Sequence, residues 1–175
     1  MKRAVLLSIL IASGASAQTR HNSNAPIDFG ADTIELQDRA NRAVLSGNVA
    51  VRQGEMTLNA ARMTVIYTGQ VIGGNPQVSR LDASGNVIVK RPDQTARSQY
   101  AVYDLNKRVI TMVGGVTLTQ GGNTVRGARL TINLDTGRAV IDGSSVRGGS
   151  SGSGGNATTA PSGRVTGTFS VPKRN

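Results

Sequence analysis

The stretch from Gly47 to Ile66 (GNVAVRQGEMTLNAARMTVI) returns as Gly114 to Asn133 (GGVTLTQGGNTVRGARLTIN). Eight of the twenty aligned positions are identical: Gly, Val, Gln, Gly, Thr, Ala, Arg and Thr. Val51/Leu118, Leu58/Val125, Met63/Leu130 and Val65/Ile132 exchange one apolar residue for another. A weaker copy begins at Gly85 (GNVIVKRPDQTARSQYAVYDL). Internal repetition means that the fold is built by stacking one small unit. Here the unit is a run of strands.

The strand reading rests on alternation. Ile27 and Phe29, Ile34 and Leu36, Val49 and Val51, and Met56, Leu58 and Ala60 each occupy every second position. That period places them on one face of half-buried strands. Turns are predicted at Asp38-Arg39-Ala40-Asn41, Gln53-Gly54-Glu55 and Asp135-Thr136-Gly137-Arg138, and a loop from Gly69 to Pro76. At Ala60-Ala61 the phase slips by one, and Met63, Val65 and Tyr67 take over the apolar positions. A one-residue slip sends side chains to the opposite face unless a bulge or corner intervenes. Ala60-Ala61-Arg62 and Gly127-Ala128-Arg129 fall at the same place in the two copies, so a repeated corner is predicted. No segment shows a helical pattern.

The chain ends differ from its middle. Lys2 and Arg3 precede an apolar run, Ala4 to Ala12, which is followed by Ala15-Ser16-Ala17. This reads as a secretory signal peptide over residues 1–17, since a nine-residue run is too short to span a bilayer. Residues 18–25 read as a flexible tail, 26–146 as the one folded domain, and 147–163 as a flexible Gly/Ser-rich segment. Residues 164–175 read as a C-terminal tail or a short strand. With no cysteine, the exported domain is expected to fold without disulfides and without thiol chemistry.

The functional classes narrow from there. The formal net charge is +10, and removing Lys2 and Arg3 leaves +8. In an exported protein this disfavours nucleic acid and favours anionic lipid, phosphorylated glycolipid or acidic polysaccharide as partner. Arg outnumbers Lys sixteen to four, which suits phosphate recognition but equally fits codon bias in a GC-rich genome. The sole histidine, His21, lies in the predicted tail and reads as a bystander. The closest acidic group, Asp28, Asp32 and Glu35, reads as solvated strand and turn residues rather than an acid/base pair or hard-metal site. No catalytic residue, metal site or cofactor is predicted, and the chain reads as a non-enzyme. The inward aliphatic ladder reads either as plain core or as a trough that accepts acyl chains. Arg52, Arg62, Lys90, Arg91 and Arg129 are placed near its rim, as candidate contacts for an anionic headgroup.

Two runs carry a resemblance. Pro26-Ile27-Asp28-Phe29-Gly30-Ala31-Asp32 and the run Leu45 to Ala60 (LSGNVAVRQGEMTLNA) resemble the OstA-like family of periplasmic lipopolysaccharide-transport bridge proteins. Arg164-Val165-Thr166 with Val171-Pro172 is similar to that family's C-terminal tail. The resemblance covers roughly residues 26–143. It departs at the Gly/Ser tract 148–163 and at Gly73-Gly74-Asn75-Pro76. It implies an all-β fold: a single OstA-like β-jellyroll of many short antiparallel strands, open at both ends. The implied interior holds the acyl chains of lipid A, in the periplasm of a Gram-negative cell. Implied partners are lipopolysaccharide or another acylated anionic glycolipid, the inner- and outer-membrane jellyrolls of the transport machine, and further copies of the chain joined by edge-strand pairing. An open sheet edge is physically suited to such pairing. The resemblance assigns lipid contact to Ile27 and Phe29. For Ile34, Leu36, Val49, Val51, Met56, Leu58, Met63, Val65, Leu118, Leu130 and Ile132 the assignment rests on alternation. The alternatives are a structural β-solenoid-like filament module without lipid, and a monomeric lipid carrier.

Overall fold

Gly47-Asn48, Gly85-Asn86 and Gly114-Gly115 share one backbone shape. Both residues of each pair have positive φ: 75° and 44°, 79° and 48°, 88° and 65°. Each pair inserts one extra residue against the next strand. Residues 47 and 48 lie opposite Ala61, 85 and 86 opposite Gln99, and 114 and 115 opposite Ala128. Two residues facing one is a β-bulge, which bends its strand. Glycine leads each pair for steric as well as torsional reasons. A Cβ on Gly85 would sit 2.9 Å from the Ala61 Cβ, and one on Gly114 2.9 Å from the Gln99 Cβ. Asn follows in two of the three because it tolerates the left-handed region better than most side chains.

The computed structural model describes residues 21–69 and 74–143, and the backbone of 166–168. The strands are β1 (Ile27–Gly30), β2 (Thr33–Gln37), β3 (Arg42–Gln53), β4 (Met56–Thr68), β5 (Gln77–Arg91), β6 (Gln94–Asp104), β7 (Val109–Gln120), β8 (Asn123–Asn133), β9 (Ala139–Asp142) and β10 (Thr166–Thr168). One 3-10 turn, Asp38–Ala40, joins β2 to β3. All described pairings are antiparallel, in the order β1-β3-β4-β5-β6-β7-β8-β10, with β2 also on β3 and β9 also on β8. The fold is the expected all-β jellyroll. Its six central strands run 11 to 15 residues, and the bulge row breaks each into two short halves.

The bulge row divides the sheet into two arms. Arm I holds β2, the β3 residues 42–46 and their continuation to β9. Arm II holds β1, the β3 residues 49–53 and their continuation to β10. Leu45, Met63, Leu81, Ile110, Met112, Leu130 and Ile132 are buried on the inner face of arm I. Val49, Val51, Met56, Leu58, Val87, Val89, Ala96 and Val116 are buried on that of arm II. No helix covers either arm among the described residues, so the arms cover each other. The Tyr103 hydroxyl of arm I donates to Gln53 Oε1 of arm II at 2.7 Å, which ties the two layers directly. The predicted phase slip is present: Ala60 is buried, Ala61 and Arg62 are exposed, and Met63 is buried again. The residues that cause it are the Gly-Asn steps on the neighbouring strands.

The predicted signal peptide and the Gly/Ser segment fall outside the described residues. In the tail, Thr166–Thr168 pairs with β8.

Candidate functional site

Each arm runs from the bulge row to a rim of turns. Arm II ends at turns such as Gly54-Glu55. Arm I ends at the Leu105–Arg108 turn and at Asp135–Arg138. Between the rims, at the N-terminal edge, lies a groove of about 750 Å³. That volume is within the range of ordinary ligand sites, ~300–1,000 Å³. Its floor is apolar: Ile27 and Phe29 from β1, Leu36 from β2, Val65 and Tyr67 from β4, Val78 from β5, and Leu105. Its border is polar, with Asn24, Gln53, Gln77, Asn106 and Arg108.

The N-terminal segment forms part of this border. Gln53 is 2 % exposed, yet all of its hydrogen-bonding capacity is used. Its Nε2 donates to the Ser23 and Ala25 carbonyls at 3.0 and 3.1 Å, and its Oε1 faces His21 Nε2 at 3.2 Å as well as the Tyr103 hydroxyl. On the other rim, Arg108 Nη2 donates to Asn24 Oδ1 at 2.8 Å, and its Nη1 donates to Asp135 at 3.2 Å. Residues 21–25 therefore run from one arm to the other as a strap. Residues 21–25 of the expected flexible tail are thus hydrogen-bonded into the groove's border, and His21, expected to be a bystander, meets Gln53 there. Burial lowers the His21 pKa, and nearby Arg91 adds to the effect against the Gln53 bond and Asp135. Burial pushes the Tyr103 phenol up to about 12, although its bond to Gln53 opposes this.

The thirteen residues expected to face lipid separate into two sets. Val49, Val51, Met56, Leu58, Met63, Val65, Leu118, Leu130 and Ile132 are buried in the closed interior. Ile27, Phe29, Ile34 and Leu36 lie on the edge strands, and the last three are exposed. Only Ile27, Phe29, Leu36 and Val65 of the thirteen line the groove.

The basic residues fall elsewhere. Arg52, Arg62, Lys90 and Arg129 alternate out of phase with the core and lie on the outer faces of the arms, away from the groove. Arg52 borders a shallow outer depression with Asp28 and Thr57, and Arg91 lines a small pocket of about 180 Å³ with His21 and Met56. The cation at the groove is Arg108, which sequence reasoning missed. It follows Asp104-Leu105-Asn106-Lys107 in a turn and has φ 55°, so nothing in strand alternation could mark it.

Comparison with known proteins agrees with this geometry. The family described as "LptA/(LptD N-terminal domain) LPS transport protein" matches residues 29–138. An uncharacterized protein of Rhizobium meliloti (strain 1021) is 34% identical over 145 residues, covering 76% of this chain and 78% of that one. Among solved structures, the fold is similar to LptH, the LptA-homologous periplasmic component of the lipopolysaccharide transport device of Pseudomonas aeruginosa. The TM-score is 0.67 at 20% identity, over 86% of this chain and 99% of that chain. With the whole bulge row and most of the groove inside the matched span, the chain belongs to the LptA/LptD N-terminal domain family of lipopolysaccharide transport proteins.

Proposed function

We propose that this protein is a non-enzymatic periplasmic carrier that bridges the inner and outer membranes by head-to-tail stacking and holds lipid A acyl chains in its apolar interior. One observation carries the reading: beside the groove at the N-terminal edge, Phe29 is 43% and Leu36 55% exposed. Large apolar side chains are left in water at a place where acyl chains could enter. Ile27, Phe29 and Leu36 make the first contacts, and Arg108, held by Asn24 and Asp135, supplies a positive charge at the groove's border. The buried residues from Val49 to Ile132 contact acyl chains only when the arms part.

The edges support the stacking. Among the described residues, β1 and β2 pair on one side with β3, and β9 and β10 on one side with β8, so each end offers backbone groups to an incoming strand. Homo-oligomers and the jellyrolls of inner- and outer-membrane partners would use these ends. Family membership supports lipopolysaccharide as cargo, and the periplasmic LptH supports the compartment.

The competing reading is a structural filament module with a dry core, which the near-zero exposure of Leu45, Leu58 and Ile110 favours. Photo-crosslinking separates the two. A photoreactive residue at Phe29 should capture lipopolysaccharide in cells, and one at Thr111, on the outer face of β7, should not. Equal capture at both positions, or none at either, overturns the carrier reading.

A further inference from the structure

The outer faces of the two arms carry different charge. On arm I the strands present four basic side chains, Arg42, Arg62, Arg80 and Arg129, and four acidic ones, Glu35, Asp82, Asp104 and Asp142. On arm II they present Arg52, Lys90, Arg97 and Arg126 against Asp28 alone. Asp28 is the register partner of Arg52, which leaves Lys90, Arg97 and Arg126 without a carboxylate on their own face. The three described salt bridges, Arg80–Asp82, Lys107–Asp104 and Arg108–Asp135, all belong to arm I or its rim. The nearest turn carboxylate on arm II, Asp93, accepts from Gln120.

The surface between these cations is low and polar. The register runs Lys90–Thr95–Thr119–Thr124 in one row and Ile88–Arg97–Thr117–Arg126 in the next. Thr117 separates Arg97 from Arg126, which avoids like charges directly opposite each other. Short threonines let the exposed Lys90, Arg97 and Arg126 side chains stand above the sheet. Residues 143–175 add no Asp or Glu and include Arg147, Arg164, Lys173 and Arg174.

We propose that the outer face of arm II is a docking surface for an anionic phospholipid bilayer, with Lys90, Arg97 and Arg126 meeting headgroup phosphates. The occupant follows from charge and orientation. This face is the reverse side of the inner wall, so a glycolipid whose chains sit in the interior presents its headgroup at the rims and not here. A broad, uncompensated basic surface without exposed aromatic or aliphatic anchors suits a planar anionic partner held by electrostatics, and such binding is screened by salt.

The test is co-sedimentation of the purified chain with phosphatidylcholine vesicles containing about one third phosphatidylglycerol. Binding is expected to these vesicles, to fall steeply between about 0.1 and about 0.5 M salt, and to be absent with phosphatidylcholine alone. The triple variant Lys90→Gln, Arg97→Gln, Arg126→Gln should bind about 100-fold more weakly, at about 5-fold per charge removed. The arm I triple Arg42→Gln, Arg80→Gln, Arg138→Gln, of matched charge change, should bind like the parent. Equal loss in both triples reduces the effect to net charge and overturns the proposal. So does binding to polyglutamate without binding to vesicles, which would assign the face to an acidic protein. Circular dichroism on each variant separates loss of fold from loss of docking.

Discussion

Leu58 and Leu36 are the same residue in the same kind of place, each at an alternating apolar position of a strand. Leu58 is fully buried and Leu36 is 55% exposed. The difference is one of neighbours. Leu58 lies on β4, between β3 and β5, with the opposite arm above it. Leu36 lies on β2, which pairs on one side only. The centre of the jellyroll has therefore finished its packing, and the N-terminal edge has not. Residues of the first kind hold the fold, and residues of the second kind are free to bind.

The largest effect tests that division directly. Leu58→Ala should lower unfolding free energy by about 2–5 kcal/mol, because it leaves a cavity in a packed interior. Leu36→Ala should change it by no more than about 0.5 kcal/mol, as an exposed surface substitution. Urea unfolding of the two variants measures both. Near-equal losses would show that the edge is packed and would remove the basis for calling it a binding surface.

Much of this contrast could be read from the chain, and part could not. Alternation marked Leu36 and Leu58 alike, because a period of two reports which face a side chain takes and not whether anything covers that face. Edge and centre differ in pairing, which depends on strand order. The bend was legible in β4, where the phase slips between Ala60 and Met63. On β3 the two left-handed residues restore the phase, so Leu45 and Val49 stay in step and the sequence shows no slip there. Ala60-Ala61 therefore marks the corner in the sequence, while the residues that bend the sheet there are Gly47-Asn48 on the neighbouring strand. The basic residues show a different limit. Arg52 directly follows inward Val51, so alternation alone directs it outward, and grouping it with the trough favoured chemistry over phase. The strap was invisible, because Gln53 reads as a turn residue until the fold brings Tyr103, His21 and the Ser23 and Ala25 carbonyls around it.

The Tyr103–Gln53 bond stands where the closed centre meets the open edge, and it gives the next largest effect. Tyr103→Phe should cost about 1 kcal/mol, the net value of a typical hydrogen bond. Burial of the hydroxyl also sets a pH dependence, against the opposing effect of the bond. The phenol titrates near 10 in the unfolded chain and at about 12 in the folded one, so the unfolded state loses its proton first. Stability is then fully present below about pH 10 and falls as pH rises through 12. Burial also raises the Tyr67 phenol, with its bond to Asp38 acting in the same direction, so Tyr103→Phe should flatten the slope without abolishing it. Thermal unfolding across this range, parent against variant, checks the claim. An unchanged slope would mean that the hydroxyl is not held between the arms.

The smallest effect belongs to the strap and sharpens the comparison where stability is lowest. Seated His21 touches Gln53, with Arg91 and Asp135 as its charged neighbours, and burial keeps its pKa below the ordinary 6.5. A detached strap therefore takes up a proton before a seated one does. The seated state loses stability as pH falls below about 6.5, down to the lowered pKa, and is unaffected above. Because residues 21–25 are anchored by a few hydrogen bonds rather than by core burial, they should open locally without global unfolding. Hydrogen exchange reads this directly. Protection of the Ala25 amide, which donates to the Asn22 carbonyl, should drop on acidification while that of the Leu58 amide holds. His21→Gln should remove the pH dependence at Ala25, since glutamine does not titrate. If Ala25 and Leu58 lose protection together, the strap is part of the closed centre, and the groove border ends at β1.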